Sequence, residues 1–172
     1  VEILSFTIEA EGDSDLEVKD LSVDFTSVGA GVGEMITAAA LVVAGEELAS
    51  ENISSTTATS RTVDFEDFDL MINAGEIVEV IVTVDVRAID GSSPVTAGDT
   101  LTADVNPDDA GWDVEDEQGD TLPVADRTGA ATSDAHDFLA SGLIIDMDSS
   151  SADPVLNLDS TSADDQGKFV MD

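Results

Sequence analysis

The stretch EIVEVIVTVDVRAI (76–89) constrains this chain more than any other. Val78, Val80, Val82, Val84, Val86 and Ala88 fall on one side of an extended backbone. Ile77, Glu79, Ile81, Thr83, Asp85 and Arg87 fall on the other. A helix, with its period of 3.6, would scatter both sets around its circumference. β-Branched side chains also suit a pleated, half-buried surface. The stretch is therefore predicted to be a central strand of a sandwich.

Elsewhere the alternation slips by one residue. In LEVKDLSVDF the apolar set runs Leu16, Val18, then Leu21, Val23 and Phe25. In VDFEDFDLMI it runs Val63, Phe65, then Phe68, Leu70 and Ile72. One extra residue near Lys19–Asp20 and another near Glu66–Asp67 would return the apolar set to the inward face, which is what a β-bulge does. Leu4, Phe6 and Ile8 alternate at the start, and AALVVAGEEL reads as a hairpin turning through Gly45. GEMITAAALVV (33–43) reads alternatively as a short helix, with Met35, Ala39 and Val43 on one side. AGDTLTADV and FLASGLIIDM (138–147) supply later strands.

Charge narrows the function classes. Thirty-nine acidic residues against five basic ones leave −34, and only Lys19 and Lys168 are lysines. No basic patch can be assembled from so few cations, which argues against nucleic acid and anionic membranes as partners. The Debye length is ~10 Å at 0.1 M salt and ~3 Å at 1 M. A wall this acidic repels itself in dilute buffer and is screened in brine, so the composition resembles that of proteins from salt-loving microbes. Aromatics are scarce and tyrosine is absent, leaving the core to Val, Ile, Leu and Ala. Without cysteine there is no disulfide, thiol catalysis or thiolate metal site. No signal peptide is visible, and no apolar run is long enough to span a bilayer.

Acids crowd most densely in NPDDAGWDVEDEQGD (106–120), which also holds the single tryptophan, Trp112. Calcium takes six to eight oxygen ligands, and Asp108, Asp109, Asp113, Asp116 and Asp120 are the candidates. The EF-hand template fails, because twelve residues counted from Asp109 end on Asp120 and the sixth is Val114 rather than Gly. DMDSSSADPVLNLD opens with Asp146 and Asp148 at the right spacing but also lacks the central Gly. A calcium ion would therefore sit between sandwich loops. Trp112 is expected to fold back and pin its loop to the sandwich. A hydrated acidic loop is the simpler alternative to a metal site. Asn52 opens Asn-Ile-Ser, an acceptor pattern for N-glycosylation. His136, the only histidine, is flanked by Asp134 and Asp137, with Ser133 and Ser141 nearby. No nucleophile-elbow motif accompanies them, and a solvated loop histidine is the expectation.

From residue 149 the chain turns to Ser, Asp, Ala and Gly, reading as a linker or strap, before GKFVMD closes it. The domains expected are thus a sandwich over 1–148 and an extension over 149–172. In GKFVMD, Phe169 and Met171 alternate with Lys168 and Val170. This strand completes the chain's own sheet, opens a next module, or is donated to a neighbour.

The succession ILSFTIEAEGDSDLEVKDLSVDF, LVVAGEELAS, VDFEDFDLMINAGEIVEVIVTVDV, AGDTLTADV and GAATSDAHDFLASGLIIDM resembles the immunoglobulin-like β-sandwich modules of large exported microbial cell-surface proteins. The resemblance covers residues 1–150 and implies an all-β, two-sheet sandwich with bulged strands. It implies a place in surface layers, stalks or filaments and brings no catalytic residues. The resulting expectation is a non-enzymatic extracellular structural protein that self-associates by strand addition. Phe169 and Met171 would fill an apolar groove on the neighbour. The competing expectation is a calcium-dependent adhesion or glycan-binding module. A hydrolase using His136 stands third.

Overall fold

The computed structural model describes residues 1–88 and 93–138. Among these residues eleven strands run in chain order: β1 (Glu2–Glu9), β2 (Leu16–Val28), β3 (Ile36–Val43), β4 (Glu46–Asn52), β5 (Ser60–Phe65), β6 (Leu70–Ile72), β7 (Ile77–Val86), β8 (Thr100–Val105), β9 (Asp113–Asp116), β10 (Ala131–Thr132) and β11 (His136–Asp137). The only α-helix among the described residues, α1, is the single turn Val32–Met35. A 3₁₀ turn spans Val124–Asp126. The result is an all-β, sandwich-like fold of two antiparallel sheets.

The smaller sheet has the order β1-β7-β3-β4. β7 lies between β1 and β3, where Val80, Val82 and Val84 are buried. The alternation of 76–89 thus marks the central strand it predicted. β3 and β4 join through Ala44 (φ 52°) and Gly45 (φ 84°). Two residues with positive φ match the right-handed strand twist, as hairpin turns require. The helical alternative for 33–43 survives only as α1, because the β-branched and alanine run from Ile36 pairs with β7 and β4.

The larger sheet is built around β2. Its C-terminal half pairs with β5 on one side and β8 on the other; its N-terminal half pairs with β6 and β9. Both expected slips fall where these partners change. β2 shifts register against β9 between Val18 and Asp20. At Glu66–Asp67 the partner strand breaks outright, instead of bulging, into β5 and β6. Asp67 takes a left-handed φ of 58°, and its N–H donates to Asp20 Oδ1 at 3.0 Å. The Phe68 N–H donates to the Lys19 carbonyl at 3.1 Å. Leu21, Val23, Phe25 and Phe65 consequently all face inward and are buried.

Between the sheets lies one aliphatic core in which Phe25, Phe65, Leu21, Met35, Ile36 and Leu41 are the largest fully buried side chains. At about 25 cal/mol per Å² of apolar surface, burying such side chains is the main stabilising contribution. The late strand expected over 138–147 falls outside the described residues except for Phe138, which is 8% exposed and joins this core. The extension over 149–172 lies outside them entirely.

Candidate functional site

On the outer face of the larger sheet, β2 presents Ser22, Asp24 and Thr26 between Asp64, Thr62 and Ser60 of β5 and the outward residues of β8. Asp24 lies directly opposite Asp104 of β8. Like charges in such cross-strand positions repel. Each is flanked on its far side by a hydroxyl donor, Thr62 Oγ1 to Asp24 Oδ1 and Thr132 Oγ1 to Asp104 Oδ2. A row Thr62, Asp24, Asp104, Thr132 therefore crosses four strands. No spacing in the sequence discloses it, because its members come from four distant segments.

The acidic loop passes over this row. β8 ends at Val105 and β9 begins at Asp113, both pairing with β2 on the same side, so residues 106–112 bridge the interruption. Gly111 sits so close to the sheet that a Cβ there would meet Ser22 Cβ at 2.7 Å and Asp64 Oδ1 at 2.8 Å. Only glycine fits. Asp109 is pushed above the ordinary carboxyl range, first by burial and then by the charges of Asp24, Asp104 and Asp108.

Trp112 follows Gly111 and is 8% exposed within the core cluster. Arg127 holds the loop from beyond: its Nη1 donates to the Trp112 carbonyl at 2.9 Å and to the Pro107 carbonyl at 3.4 Å. The Trp112 Nε1 and Arg127 Nε donors are buried without a partner among the described residues. Arg127 gave no signal as a clasp in the sequence, although AGW at 110–112 pairs a residue without a side chain with the largest one.

The five candidate calcium ligands do not gather at one point. Asp108 and Asp109 lie in the loop over the sheet. Asp113 stands in β9 opposite Asp20. The Asp116 carboxylate caps the turn that follows, with Oδ1 accepting the Gln118 and Asp120 N–H groups at 2.9 Å each. Asp120 closes that turn through its carbonyl, 3.0 Å from the Asp116 nitrogen. Among the described residues no three acidic or histidine side chains form a group that could hold a metal ion. Asp146 and Asp148 lie outside the described residues, as do Ser141, Lys168, Phe169, Val170 and Met171.

Among the described residues the lysine and the three arginines are placed differently. Lys19 pairs with Glu115 at 2.5 Å and Glu17 at 3.7 Å, and these bonds, led by the one to Glu115, raise its pKa. Arg61 donates to the Ser54 carbonyl and Arg87 to the Gly33 carbonyl, as Arg127 does to its own carbonyls. Arginine thus closes backbone loops here rather than neutralising carboxylates.

Two further polar residues lock the fold. Asp99, 9% exposed, accepts the Thr96 N–H at 2.8 Å, the Thr96 hydroxyl at 3.0 Å and the Ala30 N–H at 3.3 Å. The Thr96 backbone bond leads in lowering its pKa, and burial opposes it. A Cβ on Gly29 (φ 97°) would stand 2.0 Å from this carboxylate. His136 is not a solvated loop residue: it lies in β11, partly buried, with Nε2 2.8 Å from the Ile3 carbonyl. That carbonyl belongs to the bulge where β1 shifts against β7 between Glu2 and Leu4. The neighbouring Ser133 Oγ accepts the Ala103 N–H at 2.9 Å.

Asn52 is exposed at the end of β4, beside a shallow depression of about 300 Å³ lined by Glu51, Arg61, Thr62 and Asp64. Along the lateral edges, β1 carries inward-facing Phe6 and Ile8 that are only half-buried, although the partner of Phe6 on β7, Val80, is fully covered. No family model, curated protein or solved structure matches this chain. The local geometry alone must therefore carry the functional reading.

Proposed function

We propose that the chain is an immunoglobulin-like module of an extracellular structural protein, without enzymatic activity, that builds a surface filament or layer by β-strand addition. The observation that carries this reading is the β1 edge. Among the described residues it has one hydrogen-bonded neighbour strand, β7, and leaves Phe6 and Ile8 half-covered on its inward side. Exposed strand edges invite pairing with another chain, and a protein that uses them for assembly gains backbone hydrogen bonds and side-chain pockets together. A net charge of −34 supports the same reading, because it keeps an outer wall soluble and repels unintended contacts. Head-to-tail joints of this kind give an open helical polymer when the rotation does not close.

The test is electron microscopy and sedimentation of the full chain in high salt, with and without calcium. Filaments or sheets are expected; a protein that stays monomeric in every condition overturns the reading. The second reading, a calcium-dependent adhesion or glycan-binding module, rests on the acidic run 106–120, although no three acidic side chains among the described residues form a metal-holding group. That reading predicts calorimetric heat on adding calcium or a glycan and a lower melting temperature in chelator. Nucleic acid is not a partner in either reading, since Lys19 is paired with acids and three arginines are engaged with carbonyls. Among the described residues no helix is long and apolar enough to cross a membrane, and neither reading includes membrane insertion.

A further inference from the structure

Strand addition needs a donor and an acceptor edge, and the lateral edges of the smaller sheet differ in their fitness as acceptors. β4 presents exposed Glu46, Glu47 and Glu51. Charged edge residues of this kind discourage pairing. β1 presents the uncharged run Leu4–Ile8, with Ser5 and Thr7 outward and exposed and Phe6 and Ile8 inward and half-covered. At its start β1 is already fastened, through the Ile3 carbonyl, to His136 of β11. Beyond Ile3 no strand among the described residues lies on its free side.

We propose that the free edge of β1, over Ser5–Glu9, receives residues 168–172 of a second copy of this chain as an antiparallel strand. The inference rests on the strand-addition reading and specifies its joint. One register satisfies every position. With Thr7 opposite Val170, Phe6 meets Met171 and Ile8 meets Phe169 on the inward side, where the added side chains cover the half-exposed pair. Outward, Glu9 stands opposite Lys168, the only cation in residues 139–172. Opposite charges in directly paired positions are favourable, whereas the glutamates of β4 would meet the same strand's Asp172. A one-residue slip would turn Phe169 and Met171 to solvent, so the register is specified by burial. Residues 139–166, if extended, span up to about 90 Å at 3.3 Å per residue, enough to reach a neighbouring copy.

The chain lacks cysteine, so introduced thiols report only on themselves. Full-length Thr7→Cys and Val170→Cys proteins are mixed in high salt and mildly oxidised, with Glu47→Cys on β4 replacing Thr7→Cys as the comparison. Pairing in the proposed register gives a Thr7–Val170 disulfide dimer several-fold in excess of the Glu47–Val170 dimer. Preferential cross-linking to Glu47 overturns the β1 assignment while leaving strand addition standing. So does the absence of any cross-link in samples that still contain filaments. Absence of both cross-links and filaments overturns strand addition itself. Glu9→Lys is expected to weaken assembly and Lys168→Glu in the same chain to restore it. A loss that the charge swap fails to restore counts against the register.

Discussion

In the four-stranded sheet each strand pairs with single, continuous neighbours, whereas in the larger sheet the long β2 is flanked on each side by two shorter strands in succession. β5 and β6 on one side, and β8 and β9 on the other, are interrupted near the same level of β2. Continuous pairing leaves the smaller sheet a simple aliphatic wall. Interruption gives the larger sheet somewhere to place a loop: residues 106–112 cross its outer face, and Asp67 turns its N–H onto Asp20. Charge crowding follows the interruptions, with Asp109 above Asp24 and Asp104. Edge exposure follows the continuous sheet, with Phe6 and Ile8 half-covered on β1. One sheet therefore crowds carboxylates on its outer face and the other leaves an uncharged edge strand.

The sharpest way to break this contrast is at the centre of the continuous sheet. Val82 is fully buried in β7. Val82→Asp places a carboxylate there with no partner, costs several kcal/mol and abolishes folding. Circular dichroism should show no cooperative melt, while exposed Asp85→Asn in the same strand stays within about 0.5 kcal/mol of the parent.

A smaller effect separates close approach from backbone strain. Gly111→Ala forces a methyl group onto Ser22 and Asp64. Overpacking of this kind costs about 1–3 kcal/mol, read from urea unfolding, and the lifted loop shifts Trp112 emission to the red. Gly45→Ala has open space around it but a left-handed backbone. It should cost about 1–2 kcal/mol with the emission unchanged.

The smallest effects come from two aspartates of opposite sign. Asp99 has a lowered pKa in the folded chain. Its contribution to stability is complete above the unfolded value of about 3.9 and is lost as pH falls through the lower folded one. Asp99→Asn should therefore depress the melting temperature at neutral pH, with the gap narrowing in acid. Asp109 has a raised pKa. Its charged form is disfavoured by folding, so its penalty is absent below the unfolded value and complete once pH passes the raised folded one. Asp109→Asn should raise the melting temperature at neutral pH in dilute buffer, and the part of that gain owed to the charges of Asp24, Asp104 and Asp108 should vanish at 1 M salt, while the larger part owed to burial remains. Equal salt dependence for both variants would erase the distinction between a hydrogen-bonded carboxylate and a crowded one.

Local burial left a clear trace in the sequence and long-range polar pairing did not. The valines of β7 announced a central strand, and the slips at Lys19–Asp20 and Glu66–Asp67 marked the levels where β2 changes partners. Both signals are carried by neighbouring residues with a period of two. The Asp24–Asp104 row, the Arg127 clasp and the His136–Ile3 contact join residues from 15 to 133 positions apart, and an isolated Arg or His looks the same whether it bonds a carbonyl or water. Counting acids is equally blind, because an Asp that caps a turn, such as Asp116, cannot be told by composition from one free to bind an ion.

The thirteen-residue length of β2 has a consequence for how the molecule is made. Its partners arrive late: Phe65 pairs with Leu21, and Asp116 with Leu16. A nascent chain must keep this long strand single until Phe65 has emerged and one of its sides open until Asp116 has, and non-local pairing of that kind is slow. Glu17, Asp20 and Asp24 along its length then act as chaperones built into the strand, holding it apart from its siblings while it waits.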